Sequence, residues 1–294
     1  MSTLLAMPSR MPSQLDGLRR RAERSVAPSR PTDAAALRTI VVASGKGGVG
    51  TSVVAALVAL AAFDRGERVL LIDADEQVGP LALLLGCIAP DARLDDLLRG
   101  LTSAPDVLAW LDPRFALLPG GVPSDRLVPA LAGAERRAAF RRVTTLAQSF
   151  DRVIIDAGAR LDGVLAACAA DVSALLLVTA PDAVANAAAF ATAKAISRSH
   201  GDLALAALAN RADDTEGPAL LSQLADGVHR FLDRELALLG TVPSDEGLDR
   251  ALRAGMPLVD AARGSPASRA VSAMIATWFS DVEATAPRMD RRAS

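Results

Sequence analysis

The chain has 294 residues, of which 51% are hydrophobic, 22% charged and only 3% aromatic, with no tyrosine. That length and composition suit a globular fold, one large α/β domain or two small ones, with a core of Ala, Leu and Val, and exclude a disordered polymer. A net charge of −2 gives no global attraction to nucleic acid or anionic lipid, and no apolar run reaches the ~20 residues that cross a bilayer.

Residues 1–37 are rich in Pro, Ser and Arg and lack the apolar centre of a signal peptide. They read as a flexible segment with one short helix at 13–24, capped by Ser13. It is either a leader without a role or a partner-docking element. A folded domain is expected over 38–280, followed by a flexible tail at 281–294.

Thr39 to Ala43 is β-branched and apolar without alternation, the pattern of a buried strand. Gly45, Gly47, Gly48 and Gly50 follow within six residues, then an apolar run of helical length from Val53 to Phe63. Strand, glycine loop and helix make a phosphate cradle: inward-turned amides crowd an anion, and the helix starting at Thr51 or Ser52 adds its dipole. In the pattern GxxxxGK[ST], counted from Gly45, Thr51 stands at the lysine position and Ser52 supplies the hydroxyl for Mg2+. Lys46 is a second, earlier lysine, and Val49 completes the loop.

A second buried strand, Arg68 to Asp73, runs into Asp73-Ala74-Asp75. Carboxylates at the carboxyl end of a parallel strand face the ligand crevice, and Asp73 is placed to hold a magnesium-bound water. Pro80 stiffens the next loop. Leu94 to Leu101 and Val107 to Leu111 read as short helices, and Phe115 to Leu118 as a strand entering Pro119-Gly120-Gly121. Ala132 to Phe150 reads as a helix whose Arg136, Arg137, Arg141 and Arg142 form either a solvated face or a basic contact surface. Asp151 to Asp156 is a strand of the Walker-B kind, with Asp156 completing the magnesium shell.

Ser173 to Thr179 is a further strand, followed by a helix to about Arg198 capped by Asp182 or Thr179. Leu203 to Ala209 is another strand, ending at Asn210. An amphipathic helix over Leu220 to Arg234, a strand over Leu236 to Gly240 and a helix over Glu246 to Ala254 follow. His200 and His229 are isolated and carry no chemistry. Cys87 and Cys168 read as free thiols in a reducing cytosol. The last helix, Pro266 to Phe279, places Val271, Met274, Ile275, Trp278 and Phe279 on one side. That side either packs on the body or rests on a membrane surface. The alternation of strands and helices predicts an α/β fold, a doubly wound and mainly parallel sheet flanked by helices on both faces.

The run Lys46-Gly47-Gly48 with Gly50 resembles the deviant phosphate loop, KGGxG, of the MinD/ParA ATPases, which are SIMIBI-like P-loop NTPases. Asp73-Ala74-Asp75 resembles the DAD pair of that family, and Asp156 to Ala159 its second switch, D[TS]xAG, with Arg160 where a glycine usually follows. Pro181 to Lys194 resembles the PEPxSITDAYALIK block of the FlhG/FleN regulators of flagellar number. Gln14, Leu18 and Arg19 resemble their DQAxxLR leader, although Ser13 and Leu15 depart from it.

This resemblance implies ATP and Mg2+ as ligands. It implies that Lys46 reaches a partner's nucleotide, that Asp75 orients the attacking water and that Asn210 reads the adenine edge. Either Arg160 places positive charge near the phosphates or the switch is eroded. The implied function is a cytoplasmic ATP-dependent homodimer acting in flagellar number or placement, with an ATPase weakened by Thr51. Implied partners are a signal-recognition-type flagellar GTPase through 13–24 and a basal-body or transcription regulator. Peripheral membrane contact is open, and direct DNA binding is weak or absent. The alternatives are a pilus scaffold of the CpaE/TadZ type and a DNA-partitioning ParA.

Overall fold

The computed structural model describes residues 38–75, 79–87, 92–121 and 133–285. The leader, with the helix expected at 13–24, lies outside them. Eight strands form one sheet: β1 Thr39–Ala43, β2 Val69–Asp73, β3 Ala109–Asp112, β4 Phe115–Leu118, β5 Arg152–Asp156, β6 Ala174–Thr179, β7 Ala204–Asn210 and β8 Ala237–Val242. Their order is β3-β4-β2-β5-β1-β6-β7-β8, and every pairing is parallel except β3 with β4.

The central strands are apolar on both sides because both sides are covered. On one face Ile40, Val42, Val69 and Leu71 pack beneath α1 (Thr51–Asp64) and the last helix, α10 (Pro266–Thr285). On the other, Val41, Ala43, Leu70 and Ile72 meet α3 (Leu94–Arg99), α4 (Gly133–Ala147), α5 (Leu161–Ala167), α6 (Ala183–Ser199) and α7 (Glu216–Leu232). Three short helices, α2 (Leu81–Leu84), α8 (Glu246–Arg253) and α9 (Leu258–Ala261), add to the α1 side. α1 is sandwiched between sheet and α10, which explains its nearly uniform hydrophobicity.

The expected helix at Val107–Leu111 is not formed. A 3-10 turn occupies Ala104–Val107 with a proline in its first turn, and Ala109–Asp112 pairs antiparallel with β4. The tight turn Asp112-Pro113-Arg114, in which Asp112 accepts the Arg114 amide at 2.9 Å, closes that hairpin. Trp110 stacks on Phe150 at 5.9 Å, so a strand fills the sheet edge better than a helix would.

Helix α10 continues to Thr285, past the expected end at Phe279. Val271, Ile275, Trp278 and Phe279 are buried, with the Arg152 guanidinium 3.8 Å from the Phe279 ring centre. The apolar side of this helix is therefore used by the core, not by a membrane. Among the described residues no helix is long and apolar enough to cross a membrane.

Candidate nucleotide site

The chain leaves β1, passes over the sheet to β2, and after β5 crosses β1 to reach β6, so the direction of winding reverses beside β1. Ligands of doubly wound sheets bind outside the strand ends at such a reversal. An open cleft of about 310 Å3 lies there. Its lining includes Gly47, Gly48, Gly50, Thr51, Ser52 and Asp75.

The loop owes its shape to several long-range contacts. Gly50 caps α1 with φ +88°, a conformation that glycine adopts without penalty. A Cβ there would also sit 2.5 Å from Asn210 Nδ2. Gly45 lies so close to α6 that a Cβ would fall 2.1 Å from the Ala188 carbonyl carbon and oxygen. Asn210, buried at the end of β7, donates Nδ2 to the Val49 carbonyl at 2.8 Å. Asn210, Val49 and Gly45 thus lie outside the cleft lining and hold the loop from behind.

Thr51 is buried. Its hydroxyl meets Ser44 Oγ at 2.8 Å, and Ser44 in turn donates to the Lys46 carbonyl at 2.9 Å. The residue at the lysine position therefore ties the loop to itself. Lys46 points away from the cleft lining to Asp182, whose other carboxylate oxygen caps α6 by accepting the Val184 amide at 2.8 Å. The hydrogen bond from Lys46, followed by that from the Val184 amide, holds the Asp182 carboxyl below the usual carboxylate range.

Beneath the cleft, Asp73 and Asp156 are register partners at the ends of β2 and β5, and both are fully buried. Asp73 accepts the Asp75 amide at 3.1 Å and the Leu81 amide at 2.9 Å, anchoring the start of α2. Asp156 accepts the Gly158 amide at 3.1 Å and stands beside the Ser52 hydroxyl. Burial, reinforced by the charge of Asp156, pushes Asp73 up to about 7. Burial likewise raises Asp156 to about 6, although the Ser52 hydroxyl and the Gly158 amide oppose this.

Asp156 Oδ2 has no hydrogen-bond partner among the described residues. An orphaned carboxylate oxygen beside a hydroxyl fits Mg2+, which takes oxygen donors. No group of three or more His, Cys, Asp or Glu among the described residues could hold a metal by itself. Mg2+ is commonly held by one or two carboxylates together with phosphate oxygens.

Arg136 departs from the expectation that the arginines of α4 form a solvated face or a basic contact surface. It is buried, lines the cleft, donates Nη2 to the Ala74 carbonyl at 3.3 Å and lies 5.5 Å from the Phe140 ring centre. The signal was present in the spacing: Arg136, Phe140, Val143 and Ala147 share one helical stripe, and the last three are buried. Arg137 is exposed as expected, and the side chains of Arg141 and Arg142 lie outside the described residues. Arg160 sits at the cleft rim, paired with Asp162 at 2.8 Å.

Residues 40–258 match the CobQ/CobB/MinD/ParA nucleotide-binding domain. The chain is 30% identical to the antiactivator FleN of Pseudomonas aeruginosa over 255 residues, 82% of this chain and 87% of that one. It is 27% identical to the flagellum site-determining protein YlxH of Helicobacter pylori, over 73% of this chain and 72% of that one. The fold superposes on the cell division ATPase MinD of Pyrococcus furiosus with a TM-score of 0.68 and 25% identity, covering 83% of this chain and 99% of that one. With that loop, those buried carboxylates and these relatives, the chain belongs to the CobQ/CobB/MinD/ParA nucleotide-binding family.

Proposed function

We propose that this protein is an adenine-nucleotide-operated dimerisation switch in the control of flagellar number or placement, with slow or degenerate ATP hydrolysis. The observation that carries the reading is the cleft itself, a glycine loop at a helix N-terminus facing Asp75 above two buried carboxylates. The likeness to FleN and YlxH favours the flagellar setting.

In this reading the loop amides and the α1 N-terminus bind the polyphosphate. Ser52 and Asp156 would hold Mg2+, with Asp73 behind them; the ion would neutralise phosphate charge. Asp75 would orient water. Lys46 would leave Asp182 to meet the nucleotide of a second copy. The loss of lysine at position 51 favours weak turnover, because positioning and charge stabilisation carry phosphoryl transfer. A scaffold that binds nucleotide without useful turnover is the second reading, favoured by the same Thr51.

The test is light scattering of the purified chain with MgADP and with MgATP, beside Lys46→Ala. ATP is expected to convert monomer to dimer, and Lys46→Ala is expected to bind nucleotide but remain monomeric. A chain that binds neither nucleotide, or dimerises equally without one, would overturn the switch.

A further inference from the structure

A phosphate site needs positive charge, and the usual source is missing. Thr51 carries no charge, and its hydroxyl is already bonded to Ser44. Lys46 lies on Asp182, outside the cleft lining. Among the described residues two cations remain in that lining, Arg136 and Arg160. Arg160 is exposed, and its guanidinium makes two bonds to Asp162, Nε to Oδ1 at 3.2 Å and Nη2 to Oδ2 at 2.8 Å. Asp162 also lines the cleft, so this pair adds little net charge there.

Arg136 differs in every respect. Only 4% of it is exposed, and its aliphatic stem follows the buried stripe of α4. Its guanidinium is fixed by the carbonyl of Ala74, between the two aspartates of the Asp73-Ala74-Asp75 turn. Desolvation lowers it to about 10, with Asp162 opposing and Arg160 assisting, so it remains a cation at neutral pH. A polyphosphate received in that cleft would lie beside this guanidinium, and the planar fork of arginine matches phosphate oxygens.

We propose that Arg136 is the phosphate-binding cation of this site, delivered in cis from α4 in place of the lysine that Thr51 replaces. The inference rests on the nucleotide reading above and deepens it: one chain contributes its own charge from the helix between β4 and β5, independently of any second copy.

The experiment measures MgATP, MgADP and adenosine binding to the full chain and to Arg136→Gln, Arg136→Lys and Arg137→Gln, with thermal unfolding of each without ligand. Loss of one charge-assisted contact is expected to weaken MgATP and MgADP by about tenfold to a hundredfold in Arg136→Gln, leaving adenosine, measured by competition, unchanged. Arg137→Gln, which removes an exposed charge from the same helix, is expected to match the unchanged chain. Thr51→Lys added to Arg136→Gln is expected to recover the affinity.

The proposal is overturned if folded Arg136→Gln binds MgATP within twofold of the unchanged chain, or if adenosine weakens as much as the nucleotides. Should Arg136→Gln fail to fold, Arg136→Lys decides. A several-fold loss confined to the phosphorylated ligands supports the proposal, and no loss, or an equal loss for adenosine, overturns it. If the unchanged chain binds neither MgATP nor MgADP, the nucleotide reading falls and this inference falls with it, a result distinct from a variant that matches a binding parent.

Discussion

Asp156→Asn should stabilise the metal-free protein while destroying its response to magnesium nucleotide. The carboxyl is raised from 3.8 to about 6, chiefly by burial. Well below pH 3.8 both folded and unfolded chains hold the proton, and no penalty exists. As pH rises toward 6 the unfolded chain ionises first, so stability falls, and above 6 the penalty is complete. One pKa unit is ~1.36 kcal/mol, so the shift costs the folded state on the order of 3 kcal/mol at pH 7.5. For a domain of this size that is about 6–12 °C in Tm. Removing the charge also relieves Asp73, which Asp156 pushes in the same direction. The assay is thermal unfolding of parent and variant in EDTA from pH 4 to 8. The variant is expected to melt higher at pH 7.5, with the gap narrowing toward pH 4. Comparing the two chains cancels Asp182, Asp213 and Asp245, whose lowered pKa values give the opposite slope. A variant that melts at or below the parent at pH 7.5, or a gap that ignores pH, would refute the reasoning. Magnesium nucleotide should then raise the Tm of the parent and not of the variant, since it binds only the folded state.

Two further substitutions test how the loop is held. Gly45→Ala places a methyl 2.1 Å from backbone atoms of Ala188, so α6 or the loop must move; a loss of about 1–3 kcal/mol in urea unfolding is expected, together with weaker nucleotide binding. Asp182→Ser keeps a capping side chain for α6 but removes the anion under Lys46, whereas Asp182→Ala removes both. The serine variant is expected to retain helix stability and dimerise at lower ATP concentration, and the alanine variant to dimerise similarly but lose about 1 kcal/mol of stability; light scattering and urea midpoints separate the two.

The sheet was largely legible because its central strands are buried on both faces and must read as unbroken apolar runs. Thr39–Ala43, Val69–Asp73 and Arg152–Asp156 emerged within a residue or two of their expected ends. The aspartates closing two of those runs were legible for the same reason, since a carboxylate interrupts the pattern only where the strand meets the crevice. Val107–Leu111 failed because a short apolar run carries no period long enough to separate helix from strand. Arg136 was misplaced because charge was weighed above spacing, although its stripe pointed inward. The contacts that shape the loop were not legible at all. Asn210 and Val49 are 161 positions apart, and Lys46 and Asp182 are 136 apart. Residue type states what each can donate or accept, but only the topology brings them together.

The two lysine positions of the loop therefore pose separate physical problems. At position 51 a lysine must serve both the loop and its ligand, and threonine divides those tasks: its hydroxyl supports the loop through Ser44 and leaves the charge to be supplied elsewhere. Restoring lysine should thus change affinity more than loop stability. At position 46 the ammonium already has an anion, but Lys46 and Asp182 remain 41% and 36% exposed, so water and salt screen their attraction. In the proposed dimer a polyphosphate would offer more negative charge in a drier setting. A lysine buried against its own aspartate would resist that exchange, because separating the pair would strand a charge away from water. An exposed pair gives the side chain up readily, as the proposed reversible encounter between two copies would require.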